Sequence, residues 1–385
     1  MRDTIRRVHL QGTNAELLNS VISSIVTKEE GTRSSSVESF VLCDVSPSRV
    51  DISDFFSRYH FPKLQHLDLF GCSISSWDLL KSRITSLTTL SLATIHDSPL
   101  PTLSQILSIL SANPNLQSLK LFRDFVPDID DDRSSSQLQL RRLKTLLLEG
   151  SHRRVFGLLD RLELPDKMDN LRLSLSECPP SDLQQYIGPY LRNCIRRRSP
   201  GGLRLLIHPS PHLLSIMVGD ACESYWNRGD WFVVVSWTTG GILGEEVTRG
   251  LCFDIVAHIP LEEVVQLNAV GLPVLRSEQL CARMCNLTHL CFDGADLSTW
   301  FVEPDIYQPH LFRDLLPELR FLTITHPSPS GGDWSPLTNF LTRRAAVGNR
   351  IYSLRLVDYP HIDEDVVKNI RRAVEVFEDG GIYDR

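Results

Sequence analysis

Leu64-Gln-His-Leu67-Asp-Leu69-Phe-Gly-Cys72-Ser-Ile74 decides how the rest of the chain is read. Its core is a hexad, apolar-x-x-apolar-x-apolar, and a turn and a helical stretch follow it. Leu67 and Leu69 are two residues apart, so on a short strand they point to one side while His66, Asp68 and Phe70 point to the other. Upstream the same hexad is Val37-x-x-Phe40-x-Leu42. Downstream it recurs with first, fourth and sixth residues Leu87, Leu90 and Leu92, then Leu116, Leu119 and Leu121, then Leu143, Leu146 and Leu148, and then Met168, Leu171 and Leu173. After a gap it returns as Val264-x-x-Leu267-x-Ala269, Leu287-x-x-Leu290-x-Phe292, Leu319-x-x-Leu322-x-Ile324 and Ile351-x-x-Leu354-x-Leu356.

The fourth positions of the first six hexads are 40, 67, 90, 119, 146 and 171, in steps of 27, 23, 29, 27 and 25. Those steps lie in the roughly 20–29 residues of leucine-rich repeats. Between hexads, Trp77-Asp-Leu-Leu-Lys, Leu103 to Leu110, Val155 to Leu162 and Asp182 to Ile187 carry apolar residues at three- and four-residue spacing, the mark of helices burying one stripe. Thr102 and Ser181 are placed as N-caps, and Pro114 and Pro165 follow helices that must stop. The expected fold is therefore α/β: a leucine-rich-repeat solenoid with parallel strands on the concave face and helices on the convex face. A break is expected at Leu203 to Thr239, where three strands follow each other through connections short enough for antiparallel pairing. The domain reading is N-terminal repeats at 1–200, an antiparallel strand insertion at 201–240 and C-terminal repeats at 241–385, continuous with the first set. Asp128 to Ser136 reads as a polar, acidic loop within one repeat.

Composition narrows the function. A formal net charge of -7 and a pI near 6.0 argue against nucleic acid as a partner, since phosphate neutralisation needs surplus Lys and Arg. The charged start, Met1-Arg-Asp-Thr-Ile-Arg-Arg, lacks a signal-peptide core, and apolar runs such as Trp231 to Val235 are too short to cross a bilayer. No membrane association is expected, and the compartment reads as cytoplasmic or nuclear. Nine cysteines, an odd count, then read as reduced thiols.

The sequence resembles the leucine-rich-repeat region of fungal F-box proteins, particularly those of basidiomycetes. The likeness rests on Ile5-Arg-Arg-Val-His-Leu-Gln-Gly, on Leu67-Asp-Leu-Phe-Gly-Cys-Ser-Ile-Ser-Ser-Trp-Asp-Leu-Leu and on Ile106-Leu-Ser-Ile-Leu-Ser-Ala-Asn-Pro-Asn-Leu-Gln. Leu171-Arg-Leu-Ser-Leu and Gly332-Asp-Trp-Ser-Pro-Leu-Thr extend it. The resemblance implies the target-recognition part of a ubiquitin-ligase substrate receptor, whose F-box docks on a Skp adaptor. No helix opening on a Leu-Pro pair is recognised in this chain, so a Skp adaptor is expected only if an F-box lies upstream. The alternative is a leucine-rich-repeat scaffold or assembly protein without a ubiquitin role.

Candidate chemistry is sparse. Cys281, Cys285, His289 and Cys291 are soft ligands close in sequence, but His289 and Cys291 flank Leu290 and point outward, so no metal site is assigned. Asp128, Asp130 and Asp132 copy the start of a calcium loop, yet Arg133 stands in the glycine position and Gln139 in that of the bidentate glutamate. Gly240 to Gly244 lacks the Lys-Ser/Thr ending of a phosphate loop and reads as a turn before a helix at Glu245 to Ala257. Arg196, Arg197 and Arg198, with Arg192 nearby, suit the negative end of a helix. No catalytic residue, cofactor or metal is assigned, and an enzyme is not expected. The expected site is the outward side of the strands, a concave face for a protein target: His66, Asp68, Phe70, Ser91, Lys120, Phe122, Leu147, Glu149 and Arg172. Thr89, Ser118, Thr145 and Asn170 share that side, as do His289, Cys291, Asp293, Thr323, Ser353 and Arg355 in the later repeats. Phe70, Phe122 and Leu147 are expected to form an apolar patch on it.

Overall fold

Five of the strands begin from the same tight turn. The N–H of Leu64 donates to the carbonyl three residues back, at Phe61, and the pairs Leu116 to Asn113, Leu143 to Leu140, Leu287 to Met284 and Leu319 to Leu316 repeat it at 3.0–3.2 Å. Proline stands second in three of these turns, at Pro62, Pro114 and Pro317, where its fixed φ suits the position. Pro114 therefore builds a turn into the next strand as well as following a helix. The leucine that closes each turn is buried, as Leu64, Leu116, Leu143, Leu287 and Leu319 all are. It is the first apolar residue of the hexad.

A second device aligns each strand on the one before it. The carbonyl just ahead of a strand accepts two consecutive N–H groups from the next strand's start. Gln65 and His66 donate to Glu38, Thr88 and Thr89 to Gln65, Gln117 and Ser118 to Thr88, and Lys144 and Thr145 to Gln117, all at 2.7–3.1 Å. Asp169 and Asn170 continue the series onto Lys144, and Tyr352 and Ser353 repeat it onto Arg320.

These features come from a computed structural model of the 385-residue chain. It describes residues 5–12, 14–27, 36–44, 50–93, 100–122, 125–126, 137–165, 168–176, 203–209, 213–220, 231–238, 256, 258–270, 283–293, 316–327, 333–359 and 362–380. The protein is α/β, with parallel-strand sheets and helices, and divides into two compact units, Met1–Cys178 and Pro179–Arg385. Among the described residues no helix is long and apolar enough to cross a membrane.

The first unit runs β1 (Arg7–Gly12), α1 (Ala15–Thr27), β2 (Ser39–Asp44), α2 (Ser53–Arg58), β3 (His66–Phe70), α3 (Asp78–Arg83) and β4 (Thr89–Ala93). It continues with α4 (Leu103–Ala112), β5 (Ser118–Leu121), β6 (Leu138–Gln139), β7 (Thr145–Ser151), α5 (His152–Leu159), β8 (Leu162–Glu163) and β9 (Asn170–Ser176). Strands β1, β2, β3, β4, β5, β7 and β9 lie side by side in that order, all parallel and in constant register. One inward row is therefore Phe40, Leu67, Leu90, Leu119, Leu146 and Leu171, and the next is Leu42, Leu69, Leu92, Leu121, Leu148 and Leu173. Each is at most 1% exposed. Phe55, Phe56 and Phe61 stack around Phe40 with ring centroids 4.9–6.4 Å apart and fill the space under α2. β6 and β8 pair separately as a two-residue ribbon.

The second unit contains β10 (Leu203–Pro209), β11 (Leu213–Asp220), β12 (Trp231–Thr238), β13 (Val264–Val270), β14 (His289–Asp293) and β15 (Phe321–Thr325). It ends with α6 (Ser335–Ala346), β16 (Ile351–Val357), α7 (Glu364–Ala373) and β17 (Val374–Asp379). The three strands expected in 201–240 are β10, β11 and β12, paired antiparallel. β10 then pairs parallel with β13, and β13 to β17 follow as consecutive parallel strands. The expected helices at Asp182 to Ile187 and Glu245 to Ala257, the loop at Asp128 to Ser136, Ser181, Gly240 to Gly244, Arg192, Arg196 to Arg198 and Cys281 lie outside the described residues, apart from Val256.

Candidate protein-binding face

Because the first unit keeps one register, its outward side chains fall into lateral rows. The first is Ser39, His66, Thr89, Ser118, Thr145 and Asn170; the second is Val41, Asp68, Ser91, Lys120, Leu147 and Arg172. A third holds Cys43, Phe70 and Ala93, with Glu149 and Ser174 paired at its far end. Phe122 follows β5 directly and donates its N–H to Leu92 at 3.0 Å.

His66 and Arg172 are exposed, and Asp68, Lys120, Phe70, Phe122, Leu147 and Glu149 are half-buried. Ser91 differs from the expectation of a contact residue. It is 6% exposed, because a small side chain between Asp68 and Lys120 is covered by its cross-strand neighbours. The apolar patch is also less continuous than expected. β4 stands between Phe70 and Phe122 and offers only Ala93, and the strand backbones on either side of it lie about 10 Å apart. Leu147 lies one row away, beside Lys120 and Arg172. Asp68, Lys120 and Arg172 form no ion pair among the described residues.

Cys43 stands in the third row, and Cys72 follows the end of β3. Burial, then Asp68 and Asp44, pushes the Cys43 thiol above its usual range. Cys72 is fully buried and its thiol is raised further, first by burial and then by Asp44. Cys43, Cys72, Cys285 and Cys291 are free thiols.

The second unit gathers the later residues more tightly. Thr323, Ser353 and Arg355 share a hollow of about 390 Å³ with Phe321, Tyr352, Val376 and Glu378. His289 stacks on Phe321 at 4.3 Å and 8°, and Tyr352 meets the same ring edge-on at 5.6 Å. Desolvation lowers the His289 pKa, so burial favours the neutral ring, whose Nδ1 lies 2.7 Å from the Thr288 hydroxyl. Cys291 is pushed up to about 12, chiefly by burial and then by Asp293. Cys285 is exposed in the turn before β14. Among the described residues no group of three or more His, Cys, Asp or Glu side chains is arranged to hold a metal. At the strand ends, His326 lies 2.9 Å from Asp293 and 3.3 Å from Asp358, tying three successive strands together.

Tyr352, 49% exposed, and Val376, 37% exposed, carry more open apolar surface than Phe70 or Phe122. The hexad period marks Phe321 as an outward position beside Leu322. Val376 and Glu378 need β17, whose hexad Val374-x-x-Phe377-x-Asp379 ends on a charge. Comparison with protein-family models gives no match, and comparison with curated proteins gives none.

Proposed function

We propose that the chain is a leucine-rich-repeat solenoid that holds a protein target on the strand face of the first unit and performs no catalysis. Within that class, it serves as the target-recognition part of an F-box-type ubiquitin-ligase substrate receptor. The observation that supports binding is the unbroken register of β2, β3, β4, β5, β7 and β9. It lines up outward side chains of different chemistry in rows while their inward neighbours are leucines and, in β2, Phe40. A rigid scaffold with varied outward residues suits recognition, because the ordering cost is met before the partner arrives.

The test is affinity capture with the double variant Leu147→Asp and Arg172→Glu, set against Lys63→Glu with Arg141→Glu. The latter two residues are exposed and lie in the turns ahead of the strands. The face variant should lose a captured protein that the turn variant keeps, with the same circular dichroism spectrum. Equal capture by both variants removes the first-unit face from consideration. The ligase role has a separate measurement, binding of a purified Skp adaptor to the chain extended by its upstream reading frame. No binding there would leave a scaffold role.

A further inference from the structure

β15, β16 and β17 keep one register across the hollow on their outward side, so its side chains fall into two rows. The first row is Phe321, Ser353 and Val376, and the second is Thr323, Arg355 and Glu378. Two residues along each strand separate the rows, a distance of about 6.6 Å. The first row carries the apolar surface. His289 stacks on Phe321 and Tyr352 meets the same ring edge-on, while Tyr352 and Val376 keep 49% and 37% of their surface exposed beside it. The second row carries the charge.

Arg355 and Glu378 are register partners on neighbouring strands about 4.8 Å apart, and both are exposed. Among the described residues they form no ion pair with each other. Ser353 donates to Glu378 at 3.3 Å, and the Arg355 charge reaches Cys291 on β14, where it opposes the rise in the thiol pKa. The two opposite charges compensate each other at a distance, so an ion of a single sign is drawn by one and repelled by the other. A ligand that carries both signs close together is held by the pair. The apolar row one step away then calls for a large apolar group joined to the same atom. An α-amino acid is built in this way, with ammonium and carboxylate on one carbon and a side chain that reaches across one row. The volume of about 390 Å³ stands at the small end of the roughly 300–1,000 Å³ of small-molecule pockets, which suits a ligand of that size.

We propose that this hollow binds a free α-amino acid with a large apolar side chain. The carboxylate lies against Arg355 and the Thr323 hydroxyl, the ammonium against Glu378, and the side chain over Phe321, Tyr352 and Val376. This small-molecule site on the second unit goes beyond the protein-binding reading of the first and does not depend on it.

Isothermal titration calorimetry of the full chain with L-phenylalanine should show saturable binding at one site, and hydrogen exchange should slow in β16 and β17. 3-Phenylpropionate lacks the ammonium and phenethylamine lacks the carboxylate. Each should bind about tenfold more weakly, the cost of one contact to a charged group. Glycine, with no side chain to cover the apolar row, should not bind measurably. Arg355→Gln should bring L-phenylalanine down to the level of phenethylamine, and Glu378→Gln down to that of 3-phenylpropionate. Both residues are exposed, so melting temperatures should stay the same, and either variant alone decides the matter if the other does not fold. Absence of saturable binding at millimolar amino acid, equal binding of glycine, or unchanged affinity in both variants would each overturn the proposal. Binding of N-acetyl-L-phenylalanine as tight as that of the free amino acid would make the hollow a seat for the chain end of a peptide, and would overturn it too. Leu147→Asp should leave the affinity unchanged, so this site and the first-unit face are read by different variants. Loss of L-phenylalanine binding in Leu147→Asp would place the site on the first unit and also overturn the proposal.

Discussion

Asn113 shows how much one side chain can hold. It is 1% exposed; its Oδ1 accepts the Leu87 N–H at 2.8 Å, and its Nδ2 donates to Ile109 at 2.8 Å and Ile84 at 3.2 Å. It thus joins the end of α4 to the segment between α3 and β4. Asn113→Ala leaves three buried backbone groups without a partner and should cost on the order of 3 kcal/mol in urea unfolding. Asn113→Asp should cost more, since a carboxylate then faces two carbonyls that it can only repel. Gly71 is constrained by space instead: its φ is +75°, and an added Cβ would lie 1.7 Å from the Asp44 carbonyl oxygen. Gly71→Ala should therefore prevent folding of the first unit at ordinary temperature, seen as loss of soluble folded protein. The thiols give a pH experiment. The Cys291 pKa is raised to about 12, so its thiolate fraction should climb about tenfold per pH unit through the alkaline range. Among the described Cys285, Cys291 and Cys72, iodoacetamide mapping should find exposed Cys285 modified first, Cys291 only as pH rises, and Cys72 only after unfolding.

α4 is the helix whose limits stood most plainly in the sequence. Thr102 accepts the Gln105 N–H at 3.2 Å, and the Gln105 side chain accepts the Thr102 N–H at 3.1 Å, a reciprocal cap. Thr102→Ala should lower stability by about 1 kcal/mol, while Thr102→Ser should change little. Ten strands, β2, β3, β4, β5, β7, β9 and β13 to β16, were legible from hexads with apolar residues at all three inward positions, because each inward slot demands an apolar residue; β1 carries the same pattern in Ile5, Val8 and Leu10. β17 was not legible, because Asp379 fills the last slot, beside which no further strand lies among the described residues. β6 and β8, two residues each, are too short to show any period. Outward residues were legible by position but not by exposure. Ser91 and Lys120 occupy equivalent positions in neighbouring strands, yet one is buried and the other half-buried, since exposure is set by cross-strand neighbours and side-chain length.

Among the described strands, the main contacts are those of hydrogen-bonded neighbours, so damage should stay local. Leu90→Ala in β4 removes a core side chain and should cost about 2–5 kcal/mol. Hydrogen exchange should then accelerate at β3, β4 and β5 while β14 to β16 keep their protection. Loss of protection in both units would show that they unfold as one. The shared carbonyl that aligns each strand on its predecessor has a wider consequence. Alignment is written in main-chain groups at Glu38, Gln65, Thr88, Gln117 and Lys144, and the side chains of the outward rows take no part in it. Replacing His66, Lys120 or Arg172 alters what a visiting surface meets and leaves the bonds that align their strands untouched. Inheritance of architecture and inheritance of specificity are thereby uncoupled, and descendants of such a chain are free to change partners while keeping their shape.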